Sequence, residues 1–118
     1  MINNNLFPRV ILVEPQLGEN IGAAARAMLN FGFNDLILVN PRDGWPNNKA
    51  SATSAGALDN ENFSVQVCKN INEAIKDVSY VIATTARGRD INKPVLSMSD
   101  AIYNIINYQN KEVKTAIL

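Results

Sequence analysis

The sequence predicts an α/β fold built on a mainly parallel sheet of about five strands. Three observations lead there. Short β-rich runs alternate with helix-patterned stretches along all 118 residues, and the connections between them are short. The runs Arg9–Glu14 (RVILVE) and Asp35–Asn40 (DLILVN) are almost continuously apolar, as strands covered on both faces are. The length suits a single domain, 1–118, with one buried core.

Each element has its own local signal. After the first strand, the turn Pro15-Gln16-Leu17-Gly18-Glu19 leads to Asn20, which offers an N-cap for a helix from Ile21 to about Phe31. Gly32 stands where a helix C-terminal glycine belongs. Pro41 ends the second strand, and a loop with Gly44, Trp45 and Pro46 leads to a weaker helix over Lys49–Leu58. Phe63–Cys68 alternates, as a half-buried or edge strand does. Asn70 or Asn72 caps a short helix ending near Asp77, and Ser79–Thr84 is a fourth strand. A polar loop, Thr85–Pro94, follows. Ser97, with Asp100 three residues on, opens a last helix to about Tyr108, and Val113–Leu118 is a fifth strand. The sequence stops in mid-apolar run at Leu118, so a fragment, a broken gene or a domain that completes its sheet with a partner is expected.

Composition narrows the chemistry. Eleven Lys+Arg balance eleven Asp+Glu, so no whole-chain field recruits a polyanion and any anion contact depends on a few placed groups. With no histidine and a single cysteine, Cys68, the chain lacks the usual general base, and no metal site is expected. The apolar runs are too short to span a membrane, and Met1–Leu6 does not read as a secretion signal. A lone thiol fits a cytoplasmic location.

In open parallel sheets, ligands bind outside the carboxyl ends of the strands. Two connections belong at that edge. The first, Glu14–Gly22, carries two glycines and a helix N-terminus whose N–H groups suit an anion, although neither a dinucleotide fingerprint nor a P-loop is present. Arg26 lies on that helix, away from the apolar face of Ile21, Ala25, Met28 and Leu29, and has no acidic residue three or four positions away. A solvated surface arginine is the alternative reading. The second connection carries Thr84-Thr85-Ala86-Arg87-Gly88-Arg89, with two arginines suited to bidentate grip on phosphate, or merely a solvated basic loop. Cys68 reads as a packed thiol, and Trp45 as a loop aromatic held against the body.

The run Leu12–Arg42, LVEPQLGENIGAAARAMLNFGFNDLILVNPR, resembles the first motif of the SpoU/TrmH class of SPOUT RNA 2′-O-methyltransferases. Ala83–Arg89, ATTARGR, is similar to that family's strand end followed by a hydroxyl-Ala-Arg-x-Arg loop. The resemblance implies a Rossmann-like SPOUT (alpha/beta knot) fold with the C-terminal knot segment missing. It also implies a methyltransferase dependent on S-adenosyl-L-methionine that acts on RNA, with tRNA the expected partner, and a homodimer in the full-length family. Asn20 and Arg26 match the residues assigned to catalysis. Thr84, Thr85 and Ala86 fall where the family contacts S-adenosyl-L-methionine, and Arg87 and Arg89 match arginines implicated in RNA binding.

The family's second motif, a glycine-rich loop with a glutamate, and its third, with a serine and an asparagine, are not among these 118 residues. The chain alone is therefore expected to be inactive. A non-catalytic RNA-binding or assembly module, and an α/β domain gripping a small phosphorylated ligand, stand as alternatives.

Overall fold

The apolar runs form the strands, and they form them in register with one another. The computed structural model describes residues 7–84 and 95–118. In chain order the elements are β1 (Arg9–Val13), α1 (Gly18–Asn30), β2 (Asp35–Val39), α2 (Asn48–Thr53), a single 3₁₀ turn (Ala57–Asp59), β3 (Ser64–Cys68), α3 (Ile71–Ile75), β4 (Tyr80–Ile82), α4 (Met98–Asn110) and β5 (Thr115–Ile117). Every described strand pair is parallel, and the order across the sheet is β3-β2-β1-β5-β4. The chain thus starts near the middle, works outward to β3, crosses to the far edge at β4 and returns inward to β5.

Alternation along the strands divides the core between two faces. Leu36 and Leu38 of β2 meet Ile21, Ala25 and Met28 of α1 and Ala50 of α2 on one face. Ile11, Ile37, Val39 and Ala116 meet Ala74 of α3 on the other. β2 is buried at four of its five positions, which explains why its sequence shows no alternation. α4 covers β4 on the α1 side, where Tyr80 stacks on Tyr108 with ring centroids 4.5 Å apart and its hydroxyl accepts from Asn104 Nδ2. β3 is an edge strand, as expected, but its burial does not alternate to the end: Val65 is half-buried, whereas Val67, two residues on, is exposed.

Helix ends mostly follow the local signals. Asn70 caps α3 by accepting from the Glu73 N–H, and Ser97 caps α4 by accepting from the Asp100 N–H. At the end of α1, Gly32 (φ 83°) takes the left-handed position, its N–H reaching Leu29 O while that of Phe33 reaches Met28 O. That double bond is the Schellman stop, which glycine makes possible without strain.

Two expectations need correction. α1 begins at Gly18 behind an extended Leu17 that makes no side-chain cap, so Asn20 lies inside the first turn and caps nothing. The expected helix over Lys49–Leu58 is broken, because Ala55 (φ 52°) and Gly56 (φ 84°) both adopt left-handed conformations that no right-handed helix can contain. Ser54, fully buried, turns its hydroxyl back onto Ser51 O at that break.

Candidate functional site

Because the strands run parallel, their carboxyl ends share one edge of the sheet, and both candidate connections leave from it. β1 is followed by Glu14, exposed and left-handed (φ 49°), whose N–H still extends the ladder to Val39 O at 2.7 Å. Asn40 (φ 48°) does the same after β2, donating to Cys68 O. Next, the Arg42 N–H donates to Pro15 O at 3.1 Å, tying the β2–α2 loop to the β1–α1 loop.

The glycines of the first connection have a different role from the one their sequence suggested. A Cβ on Gly18 would strike the Asn47 side chain, and one on Gly22 would collide with Thr53 Oγ1 and the Ala50 carbonyl. Both glycines therefore exist to let α1 and α2 touch, and the space at position 22 is filled by α2. The contact is sealed by the Thr53 hydroxyl, within 3.1 Å of Glu19 O and 3.0 Å of Lys49 O.

Arg26 is exposed, and among the described residues it makes no ion pair and no hydrogen bond. On the helical wheel it lies about 40° from Gly22, on the flank next to α2, and about 120° from Asn20. Asn20 is exposed as well, so the two residues look out from different faces of α1. Side chains of a helix lean toward its N-terminus, which brings a long side chain at position 26 back toward the sheet edge.

Thr84 stands at the same edge beyond β4, separated from β1 by β5 and hence about 10 Å away across the sheet. Its N–H and its hydroxyl both donate to Leu118 O, at 3.0 and 2.8 Å. Thr85, Ala86, Arg87 and Arg89 lie outside the described residues. Two cavities among the described residues, of about 570 and 310 Å³, both flank Arg9. Cys68 packs against the second core cluster and Trp45 against the first, as their sequence settings suggested. No His/Cys/Asp/Glu cluster capable of holding a metal occurs among the described residues, and none of their helices is long and apolar enough to cross a membrane.

Sequence reasoning overlooked Arg42. The tetrapeptide Pro41-Arg42-Asp43-Gly44 closes as a turn, with Gly44 N–H donating to Pro41 O at 3.2 Å. An Asn-Pro pair at the strand end and a glycine in the fourth position of the turn are signals that would have placed this arginine at the edge.

Residues 8–110 match the family described as SpoU rRNA Methylase. The chain belongs to that family. Relatives of this chain include the tRNA (cytidine/uridine/adenosine-2′-O-)-methyltransferase TrmJ of Pseudomonas aeruginosa, 34% identical over 110 residues, which cover 93% of this chain and 42% of that protein. TrmJ of Sodalis glossinidius is 41% identical over 88 residues, covering 75% and 34%. The crystal structure of TrmJ from Z. mobilis superposes with a TM-score of 0.85 at 49% identity over 94% of this chain and 48% of that one. This chain therefore spans less than half the length of these relatives, and its family is one of tRNA/rRNA methyltransferases.

Proposed function

We propose that this chain forms part of the catalytic domain of an S-adenosyl-L-methionine-dependent tRNA ribose 2′-O-methyltransferase. The observation that carries the reading is Arg26. An exposed guanidinium with no described partner, on the helix leaving the carboxyl edge of a parallel sheet in a SpoU methylase, is placed for an anionic ligand.

A ribose 2′-hydroxyl is a poor nucleophile at neutral pH, so methyl transfer depends on orientation and on stabilising the charge that develops on its oxygen. A guanidinium does not surrender its proton in proteins, so Arg26 acts by holding the neighbouring phosphate and favouring developing alkoxide charge. Asn20, with an amide donor and acceptor, positions the ribose. Arg87 and Arg89 grip the RNA backbone. S-adenosyl-L-methionine supplies an electrophilic methyl group on sulfur. Thr84 fits a contact to that molecule as an acceptor only, because its hydroxyl proton is committed to Leu118 O. Thr85 and Ala86 supply backbone contacts beside it.

The donor pocket needs more than these residues, and the 118-residue chain is inactive alone. Calorimetric titration of the chain with S-adenosyl-L-methionine is expected to show no micromolar binding; a micromolar affinity overturns this. Substituting Arg26→Ala is expected to weaken salt-dependent tRNA binding, and unchanged binding counts against its role. The chain would be cytoplasmic, as its substrate requires, and the homodimer is checked by sedimentation.

A further inference from the structure

Arg42 sits on a turn fixed from three directions. Gly44 N–H closes it onto Pro41 O, Arg42 N–H fastens it to Pro15 O of the β1–α1 loop, and Trp45 anchors its exit in the core. The side chain itself is exposed, and its described partner is the adjacent Asp43, through Nε and Nη2 at 3.1 and 3.3 Å. An exposed pair of sequence neighbours contributes little to stability. A planar guanidinium held in a fork by a carboxylate is already in the geometry that receives a phosphate.

The surroundings extend this into a track. Lys49, in the first turn of α2, lies close enough to act on Asp43 electrostatically. On α2 it neighbours Thr53, whose hydroxyl reaches Glu19 O of α1. Arg26 follows on the same flank of α1. Along the seam between the two helices the charged groups are thus Arg42, Asp43, Lys49, Glu19 and Arg26, three cations with two carboxylates between them. Neutrality of the whole chain makes such local placement the only electrostatic means of holding a polyanion.

We infer that Arg42, with Lys49 beside it, is a contact for the ribose–phosphate backbone of RNA, and that Asp43 occupies the guanidinium until a phosphate displaces it. This rests on the RNA-binding reading of Arg26 above and extends the bound surface from α1 onto the β2–α2 loop. Backbone contacts position the RNA and carry no sequence preference.

The test measures tRNA binding to the 118-residue chain by fluorescence anisotropy across a salt series. Arg42→Ala is expected to weaken binding by about threefold to tenfold at low salt and to reduce the slope of log K against log salt by about one phosphate contact. Asp43→Asn is expected to tighten binding, and Arg42→Lys to recover part of what Ala loses. Lys111→Ala, a charge-matched change in the exposed turn before β5 at the opposite edge, is the control. All four variants should melt with the unsubstituted chain. Inorganic phosphate at matched ionic strength should not compete, and competition by it would assign the site to a small anion instead. An Arg42→Ala effect no greater than that of Lys111→Ala overturns the proposal while leaving Arg26 untouched. Absence of salt-dependent tRNA binding by the unsubstituted chain overturns the RNA reading itself, and this extension with it.

Discussion

Thr115 and Arg26 are opposite cases of a polar group left alone. Arg26 is solvated, so lacking a partner costs it nothing and leaves it available. Thr115, wholly buried in β5, has a hydroxyl oxygen that no described group satisfies. A buried unsatisfied hydroxyl costs roughly 1–3 kcal/mol, whereas an apolar isostere of the same shape avoids the penalty. Thr115→Val is therefore expected to stabilise the chain by about 1 kcal/mol in urea unfolding. A loss of stability would show that the hydroxyl is in fact bonded. The sequence announced the first residue and hid the second. The helical spacing around Arg26 has no acid within reach, which can be counted from the letters. Burial of Thr115 depends on which strands flank β5, and β1 and β4 come from distant parts of the chain.

Between elements, the legible features are local and the illegible ones are contacts. Strands β1 and β2, the Gly32 stop and the Asn70 and Ser97 caps were all readable, because each is decided within a few residues. The start of α1 was misread because Gly18 and Gly22 answer to α2, not to their own helix. Gly22→Ala accordingly should cost about 1–3 kcal/mol by overpacking, since the atoms it meets include backbone that cannot swing aside. Ala is otherwise the better helix former by about 1 kcal/mol, so a purely local glycine would show the reverse sign. Chemical denaturation of Gly22→Ala decides between the two. α4 carries the complementary case. It ends in the same double-bonded stop as α1, with Glu112 (φ 59°) N–H on Gln109 O and Val113 N–H on Tyr108 O, but without a glycine at the left-handed position. Glu112→Gly is expected to raise stability by about 1 kcal/mol, measured the same way, because a side chain in that conformation is strained by roughly that amount.

Across the whole molecule, the two edges of the sheet divide the work. Among the described residues, the carboxyl edge holds Arg26, unpaired, and Arg42, weakly paired, while the amino edge holds a cluster of tightly satisfied charges around Arg9. There Arg9 of β1 donates to Asp35 of β2 at 3.0 Å, to Ala74 O of α3 at 3.0 Å and to Asp77 at 2.6 Å, and Lys114 before β5 meets Asp35 at 3.2 Å. Burial works against the charge of Arg9, yet its bond to Asp77 and the charge of Asp35 outweigh it and raise its pKa further. In return, the hydrogen bond from Arg9 holds the Asp77 carboxyl below the usual carboxylate range. A carboxyl depressed in the folded state binds fewer protons there than in the unfolded chain, so its contribution is complete above the unfolded pKa of about 3.9 and disappears as pH falls through the folded value. Stability should consequently decline on acidification below about pH 5, and Asp77→Asn should flatten that decline while lowering stability at neutral pH. Asp43 is also lowered by its bond from Arg42, but that pair of neighbours is exposed and adds little to stability, so Asp43→Asn should leave the pH profile unchanged. Arg9→Met strips β1 of its link to α3 and orphans Ala74 O, and should cost about 1–3 kcal/mol at pH 7. Urea unfolding of the three variants from pH 7 down to the acid limit separates the edges. A pH profile for Asp77→Asn that parallels the unsubstituted chain would place the acid sensitivity in other carboxylates and remove Arg9–Asp77 as the clasp of the amino edge.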